Sequence, residues 1–225
     1  MPNVYKALER ARRADGQAVQ PGTILAPATI WRPRFAREMR ALAARLQPLC
    51  DERGSVVLLF TACARGEGTS TVSRELAQHL ASDGRRVLLC AALTGPTRAV
   101  STTIDGGARQ ILVGPLETLC EADISDLRLD NAGLTGNIVF RSWLEQQRGN
   151  FDYILIDGPP LLVQQSWSAL LQIPDGIILV LEAEKTRTIV LSSTIGMIEN
   201  AGGHILGLVF NKRQQYIPKF LYKLL

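Results

Sequence analysis

The chain has 225 residues, of which 46% are hydrophobic and 20% are charged. This is ordinary globular composition, and it excludes a disordered or fibrous chain and a small disulfide-stapled protein. The longest apolar runs, such as 56–62 and 177–181, are much shorter than the roughly 20 residues that cross a bilayer. We expect no signal peptide, because residues 1–16 form a charged helical pattern.

The net charge of +4 conceals a division along the chain. Residues 1–49 hold nine Lys or Arg and three Asp or Glu, whereas residues 50–210 hold twelve and eighteen. Residues 211–225 add four basic residues and no acid. The sequence therefore predicts an acidic body with two basic ends, which are either solvated or in contact with an anionic partner.

The cysteines predict no metal site and, at two positions, buried thiols. None of Cys50, Cys63, Cys90 and Cys120 forms a C-x-x-C pair, and the chain has only two histidines, so we expect no zinc. Cys63 and Cys90 lie in or beside apolar runs, where a small buried thiol is the ordinary outcome. This usage fits a reducing, cytosolic environment better than a secreted one.

The first part of the chain predicts helices joined by a linker. A short amphipathic helix is expected at 2–14, a linker rich in Gly and Pro at 16–33, and a second helix at 35–46. A turn at 52–55 then separates this part from the first strong strand.

Strands alternate with helices through the rest of the chain. Five apolar segments are predicted as core strands: 56–61, 86–92, 153–157, 176–182 and 205–210. Helices are predicted from Val72 to Ser82 and at 138–147 and 187–200, and short strands at 111–113 and 127–129. This order predicts a doubly wound α/β fold with a mainly parallel sheet, in which ligands bind at the carboxyl ends of the strands.

A glycine-rich loop follows the first core strand. Residues 61–71 read Thr-Ala-Cys-Ala-Arg-Gly-Glu-Gly-Thr-Ser-Thr. Such a turn at a helix N-terminus directs N–H groups and the helix dipole towards one point, which suits a phosphate. The usual phosphate loop carries a lysine after its last glycine, but here that residue is Thr69, followed by Ser70 and Thr71. From these residues alone, a nucleotide site and a tight structural turn are about equally supported.

The surrounding chain resembles the bacterial tyrosine kinases of capsule and exopolysaccharide systems, a branch of the P-loop ATPases that also contains the Min and Par positioning proteins. Residues 65–71, Arg-Gly-Glu-Gly-Thr-Ser-Thr, resemble the family's Pro-Gly-Glu-Gly-Lys-Ser-Thr. Residues 151–160, Phe-Asp-Tyr-Ile-Leu-Ile-Asp-Gly-Pro-Pro, resemble its Walker B segment. Together, 56–92 and 151–213 match in the same order. The resemblance implies a P-loop ATPase-like α/β domain with an N-terminal helical arm.

The resemblance implies a nucleotide site built from Gly66, Glu67, Gly68, Thr69, Ser70, Thr71 and Asn211, with Asn211 at the adenine-contacting position. It assigns magnesium contacts to Ser70 and to Asp157, which is also the candidate catalytic residue if the protein is active; alternatively, Asp157 only caps the next loop. The family's Asp-x-Asp is missing at residues 90–94, and no carboxylate follows before Asp105. We therefore expect ATP and magnesium to bind weakly or not at all, with Arg65 as a partial substitute for the lost lysine.

The two ends of the chain resemble the family's contact segments. Arg37 and Arg40 lie where the family has its Glu-x-x-Arg-x-x-Arg oligomerisation helix, with Arg34 at the glutamate position. The resemblance implies self-association or a mixed oligomer. Tyr216 and Tyr222 are the candidate phosphoacceptors, in a basic amphipathic tail that suits an acidic protein or lipid surface, or that packs on the core.

We divide the chain into an N-terminal helical arm and linker at 1–49, an ATPase-like domain at 50–213 and a basic tail at 214–225. The resemblance implies a catalytically degenerate, kinase-like regulator or scaffold of exopolysaccharide export. It would lie in the cytoplasm at the inner face of a bacterial membrane and dock on a membrane-embedded chain-length or export protein, and we expect no nucleic-acid partner. Two alternatives stay open: a residually active tyrosine autokinase and a Min/Par-like positioning ATPase.

Overall fold

The structure is a computed structural model that describes residues 35–91, 111–113, 119–123 and 133–213. Its elements in chain order are α1 (Ala36–Arg53), β1 (Val56–Ala62), α2 (Thr69–Ser82), β2 (Val87–Ala91), β3 (Ile111–Val113), β4 (Leu119–Asp123), α3 (Gly133–Arg148), β5 (Tyr153–Asp157), a 3-10 helix (Gln165–Leu170), β6 (Gly176–Glu182), α4 (Thr188–Asn200) and β7 (Ile205–Asn211). The helix expected at 2–14, the linker, the strand expected at 127–129 and the C-terminal tail lie outside the described residues.

Within the described residues the strands form one seven-stranded sheet, in the order β3-β4-β2-β5-β1-β6-β7. Six of the strands are parallel, and the short β3 pairs antiparallel with β4 at one edge. The predicted doubly wound α/β fold is thereby confirmed. Because parallel strands end at the same side of a sheet, the residues that follow β1, β5, β6 and β7 meet at one edge.

The interior strand β1 is buried along its whole length because helices cover both faces of the sheet. Val56, Leu58 and Phe60 pack in a core with α1 and α2, whereas Val57 and Leu59 pack in a second core with α3 and the 3-10 helix. Each such side chain contributes about 1.5–3 kcal/mol relative to exposure in water. None of the described helices combines the length and apolarity needed to cross a bilayer.

All four cysteines are free and buried, which confirms the buried thiols expected at Cys63 and Cys90. Burial raises the pKa of Cys120 to about 11. At neutral pH the Cys120 side chain is therefore a protonated, unreactive thiol that fills space in the core.

Helix α1 is longer than the sequence predicts. The turn expected at 52–55 begins later, because α1 continues to Arg53 and Gly54 then adopts a left-handed conformation with φ +74°. Met39, Leu46 and Cys50 lie in the core that α1 shares with β1. The helix thus crosses the boundary that we placed at residue 49, while the division into arm, domain and tail stays a prediction.

The sequence did not predict strand β4, whereas it predicted β3 at the residues where the structure has it. Leu119–Asp123 reads Leu-Cys-Glu-Ala-Asp, and the two acids interrupt the apolar run by which a core strand is predicted. The side chains of Leu119, Cys120 and Ala122 are nevertheless buried. Glu121 is tolerated because it lies near Arg74 of α2, with 4.0 Å between the carboxylate and the guanidinium.

A charged cluster fixes the amino-terminal end of the sheet. Asp175, just before β6, accepts hydrogen bonds from Arg53 at 2.7 Å, from Arg148 at 2.8 Å and from the N–H of Val57 at 2.7 Å. Burial alone would raise the pKa of Asp175, but the hydrogen bonds from Arg148 and Val57 and the two positive charges outweigh it and lower that pKa. One carboxylate therefore joins α1, β1 and α3 to β6.

We expect Asp175→Asn to lower the free energy of unfolding by about 3 kcal/mol, because it leaves a half-buried guanidinium without its countercharge. The lowered pKa means that this contribution is present at neutral pH and is lost as the pH falls through the folded-state pKa of Asp175. Urea unfolding at several pH values measures both effects. Glu145→Gln is the matched control, because Glu145 pairs with Arg148 at an exposed position and should change stability by less than about 0.5 kcal/mol.

Candidate functional site

Residues 63–68 form a loop that leaves β1 at the carboxyl edge of the sheet and enters α2. Gly66 and Gly68 adopt positive φ angles of +82° and +97°, which only glycine adopts without strain. Within the described chain, the N–H groups of Gly66, Gly68, Thr69 and Ser70 donate to no protein acceptor. The loop and the first turn of the fourteen-residue α2 thus leave several donors at one place, as a phosphate cradle requires.

The loop is organised around the carboxylate of Glu67, which is 4% exposed. One oxygen accepts hydrogen bonds from the N–H groups of Cys63 at 2.8 Å and Ala64 at 2.9 Å. The other accepts a short hydrogen bond from the hydroxyl of Thr186, which precedes α4. These three donors compensate the cost of burying a charge and close the loop on itself.

The end of β7 holds the loop from a second side. The side-chain amide of Asn211 donates to the carbonyl of Glu67 at 2.9 Å, and the ammonium of Lys212 donates to the carbonyl of Gly66. Lys212 also contacts the carboxylate of Glu182 at 3.1 Å. Asn211 and Lys212 therefore occupy two carbonyl groups of the loop, while the N–H groups of Gly66 and Gly68 donate to no acceptor in the described chain.

At the first turn of α2, Thr69 is 8% exposed, whereas Ser70 and Thr71 are exposed. The position that carries the lysine in a phosphate loop thus holds a short, buried and uncharged side chain. Arg65, the proposed substitute, is exposed and forms no ion pair with an acid of the described residues.

Asp157 ends β5 next to the loop, near enough to Ser70 for the Ser70 hydroxyl to act on the pKa of its carboxyl. Burial raises the pKa of Asp157, and the Ser70 hydroxyl and the charge of Arg74 only partly oppose that rise. Its Oδ1 is buried and has no hydrogen-bond partner in the described part of the chain. A hydroxyl and a carboxylate with an unused oxygen fit a magnesium ion that takes its remaining ligands from water and phosphate. The structure therefore places Ser70 and Asp157, the two magnesium contacts expected from the resemblance, next to each other.

The remaining predicted residues lie away from this edge or outside the described chain. Arg37 and Arg40 are exposed in the first turns of α1, beside the buried Met39. Their contact with another subunit stays a prediction. Tyr216 and Tyr222 fall outside the described residues, so their role as phosphoacceptors stays a prediction too.

Comparison with known proteins gives relatives of the chain in sequence and in fold. No protein-family model matches the chain. Tyrosine-protein kinase CpsD of Streptococcus agalactiae serotype III (strain NEM316) is 28% identical over 181 residues, which cover 73% of this chain and 77% of CpsD. The kinase domain of VpsO is 25% identical, with a TM-score of 0.57 over 80% of this chain and all of that domain.

The chain is therefore similar in sequence to bacterial tyrosine kinases. Its fold agrees with this, because the kinase domain of Escherichia coli tyrosine kinase ETK has a TM-score of 0.61 over 81% of this chain and 79% of that domain, at 18% identity. The P-loop ATPase fold inferred from the sequence is thereby confirmed.

Three residues at or near the loop were not singled out from the sequence for the contacts they make. Thr186 and Lys212 contact the loop directly, and Glu182, the last residue of β6, contacts Lys212. These contacts form because β6 pairs with β1 and β7 pairs with β6. Their positions directly after core strands were the available signal, because such residues collect at the carboxyl edge.

We expect Gly68→Ala to destabilise the protein by about 3 kcal/mol, because φ +97° is unfavourable for alanine and its Cβ would lie 2.0 Å from the Asn211 side-chain nitrogen. Gly66→Ala is the matched control: it has a similar φ of +82° but nothing within 4 Å, and it should cost only about 1 kcal/mol. Chemical unfolding compares the two. Equal losses of stability in Gly68→Ala and Gly66→Ala would contradict the packing of Asn211 on the loop.

We expect Asp157→Asn to stabilise the protein at neutral pH, because the raised pKa means that ionising this buried carboxyl opposes folding. The gain should vanish at a pH below the ordinary pKa of an aspartate, where both folded and unfolded carboxyls are protonated. Thermal unfolding of the two proteins across that pH range measures it. A loss of stability at neutral pH would show that Asp157 is a structural cap.

Proposed function

We propose that this chain is a kinase-like regulator or scaffold of exopolysaccharide biosynthesis and export that transfers phosphate poorly or not at all. The observation that carries this proposal is Thr69, a buried and uncharged residue at the position of the phosphate-loop lysine. In phosphoryl transfer, charge neutralisation at the phosphates is the main catalytic task of the protein. A threonine supplies no charge for it.

A second deficit supports the same proposal. Strand β2 ends at Ala91, and the sequence that follows contains no Asp or Glu until Asp105. The family uses carboxylates in this region to hold metal and to activate the tyrosine hydroxyl. Losing one such contact costs on the order of 100-fold in rate. Losing several that act on one transition state leaves little turnover, although such effects do not add.

Similarity to CpsD and to the putative tyrosine-protein kinase CapB of Staphylococcus aureus supports the proposed pathway. We infer that the chain works in the cytoplasm at the inner face of a bacterial membrane and docks on a membrane-embedded chain-length or export protein. Its exposed Arg37 and Arg40 suit self-association or a mixed oligomer. The acidic body between two basic ends speaks against nucleic acid as a partner of the core.

A residually active tyrosine autokinase is the second candidate, and the pair of Asp157 and Ser70 favours it. Their proximity and the unused Asp157 oxygen preserve a place for magnesium beside the free N–H groups of the loop. Magnesium supplies positive charge at the phosphates when it is bound. The loop N–H groups would orient the phosphates, and Asp157 and Ser70 would hold the ion.

Phosphorylation assays decide between the two candidates. We expect purified wild type with magnesium and ATP to form no phosphotyrosine at Tyr216 or Tyr222, because no loop lysine neutralises the transferred phosphate. Calorimetric titration should show that Thr69→Lys binds Mg-ATP about tenfold more tightly than wild type, since it adds a charge at the phosphates. Thr69→Gln is the matched control, with a long side chain but no charge.

Clear magnesium-dependent phosphorylation of Tyr216 or Tyr222 by wild type would contradict the regulator and establish the autokinase. Micromolar binding of Mg-ATP by wild type would contradict our account of the loop. Nucleotide-dependent dimerisation with ATP turnover but without phosphotyrosine would instead establish a positioning ATPase of the Min/Par type.

A further inference from the structure

A lysine from outside the loop contacts it. Within the described chain, Lys212 is the one lysine or arginine outside residues 63–68 whose side chain hydrogen-bonds to a loop atom, the carbonyl oxygen of Gly66. It lies one residue beyond β7, in a different part of the sequence from the missing loop lysine. Its side chain is about half exposed, with a relative accessibility of 47%, so its ammonium is at the surface beside the loop.

We propose that Lys212 supplies to the phosphate loop the positive charge that Thr69 does not supply. The loop and Lys212 together bind an anion of the pyrophosphate or nucleoside diphosphate class. This inference rests on the loop being the phosphate cradle of the proposed function, but it does not depend on whether phosphate is transferred. The loop contributes N–H donors, and Lys212 contributes the charge.

The backbone places Lys212 for this role. Lys212 adopts a left-handed φ of +55°, and its own N–H donates to the side-chain oxygen of Asn211 at 2.9 Å. The amide nitrogen of the same Asn211 holds the carbonyl of Glu67 at 2.9 Å. The end of β7 and the loop are therefore fixed to each other by two adjacent residues, and the lysine stem starts from a rigid strand end.

Glu182 opposes the proposed role of Lys212. Its carboxylate contacts the ammonium groups of Lys212 at 3.1 Å and of Lys185 at 3.2 Å. The hydrogen bond from Lys212 and the two positive charges lower the pKa of Glu182, so it is ionised at neutral pH. A negative charge this close to Lys212 competes with any incoming anion for the same ammonium. Glu182 should therefore weaken anion binding that Lys212 promotes.

The two lysines on Glu182 give a matched pair for a test. Lys185 has the same charge and the same acid partner as Lys212, but its ammonium hydrogen-bonds to Glu182 and to no loop atom in the described residues. Removing either lysine changes the net charge equally. Only removal of Lys212 takes a charge away from the loop itself.

Titration with inorganic pyrophosphate, by calorimetry at low ionic strength, tests the proposal on the full-length protein. We expect Lys212→Gln to weaken binding about tenfold, Lys185→Gln by less than about twofold and Glu182→Gln to strengthen it severalfold, since a nearby charge is worth roughly one decade in affinity. Lys212→Arg should keep most of the affinity. Raising the salt concentration should weaken wild type more than Lys212→Gln, because fewer charges are screened in the variant.

Thermal unfolding of each variant without pyrophosphate verifies that it is folded. Equal losses for Lys212→Gln and Lys185→Gln would overturn the proposal in favour of a general charge effect. Unchanged affinity in Lys212→Gln, or no pyrophosphate binding by wild type, would overturn it outright and leave the regulator intact. Conversely, phosphotyrosine formation by wild type would contradict the regulator without bearing on Lys212.

Discussion

The geometry of the functional edge depends on one buried carboxylate. Glu67 lies inside the loop that joins β1 to α2, and a charge at 4% exposure is tolerated only if donors surround it. Two of these donors are backbone N–H groups of the loop, and the third is Thr186 from the segment before α4. The carboxylate thus closes the loop locally and ties it to a distant part of the chain. The free N–H groups of the cradle are positioned as a consequence.

The charge around this edge has been rearranged relative to an ordinary phosphate loop. The first turn of α2 lacks a basic residue, since Thr69 occupies the lysine position. The cation that does reach the loop comes from the end of β7, where Lys212 shares Glu182 with Lys185. Asp157 stays in place with an unused oxygen. The loop backbone and the unused Asp157 oxygen are thus combined with an altered source of positive charge, and this is the physical basis on which we propose to separate anion binding from phosphoryl transfer.

Most of the fold could be predicted, because continuous apolar strands and helical periodicity are local properties of the sequence. The strand 176–182 and the short strand 111–113 have the expected bounds. The errors arise where packing overrides the local pattern. Helix α1 continues to Arg53 because its inward face packs on β1, and β4 forms despite Glu121 and Asp123 because β2 and β3 pair with it on either side.

The sequence by itself determined the glycine-rich loop, the missing lysine and the resemblance to bacterial tyrosine kinases, because these depend on residue identity at fixed spacing. It also placed Asn211 and Asp157 at strand ends, where parallel strands converge. Only the tertiary structure decided that Thr186 buries the Glu67 carboxylate and that Lys212 reaches Gly66. Those contacts join residues 119 and 146 positions apart, and no local pattern encodes which side chains meet once β6 pairs with β1 and β7 pairs with β6.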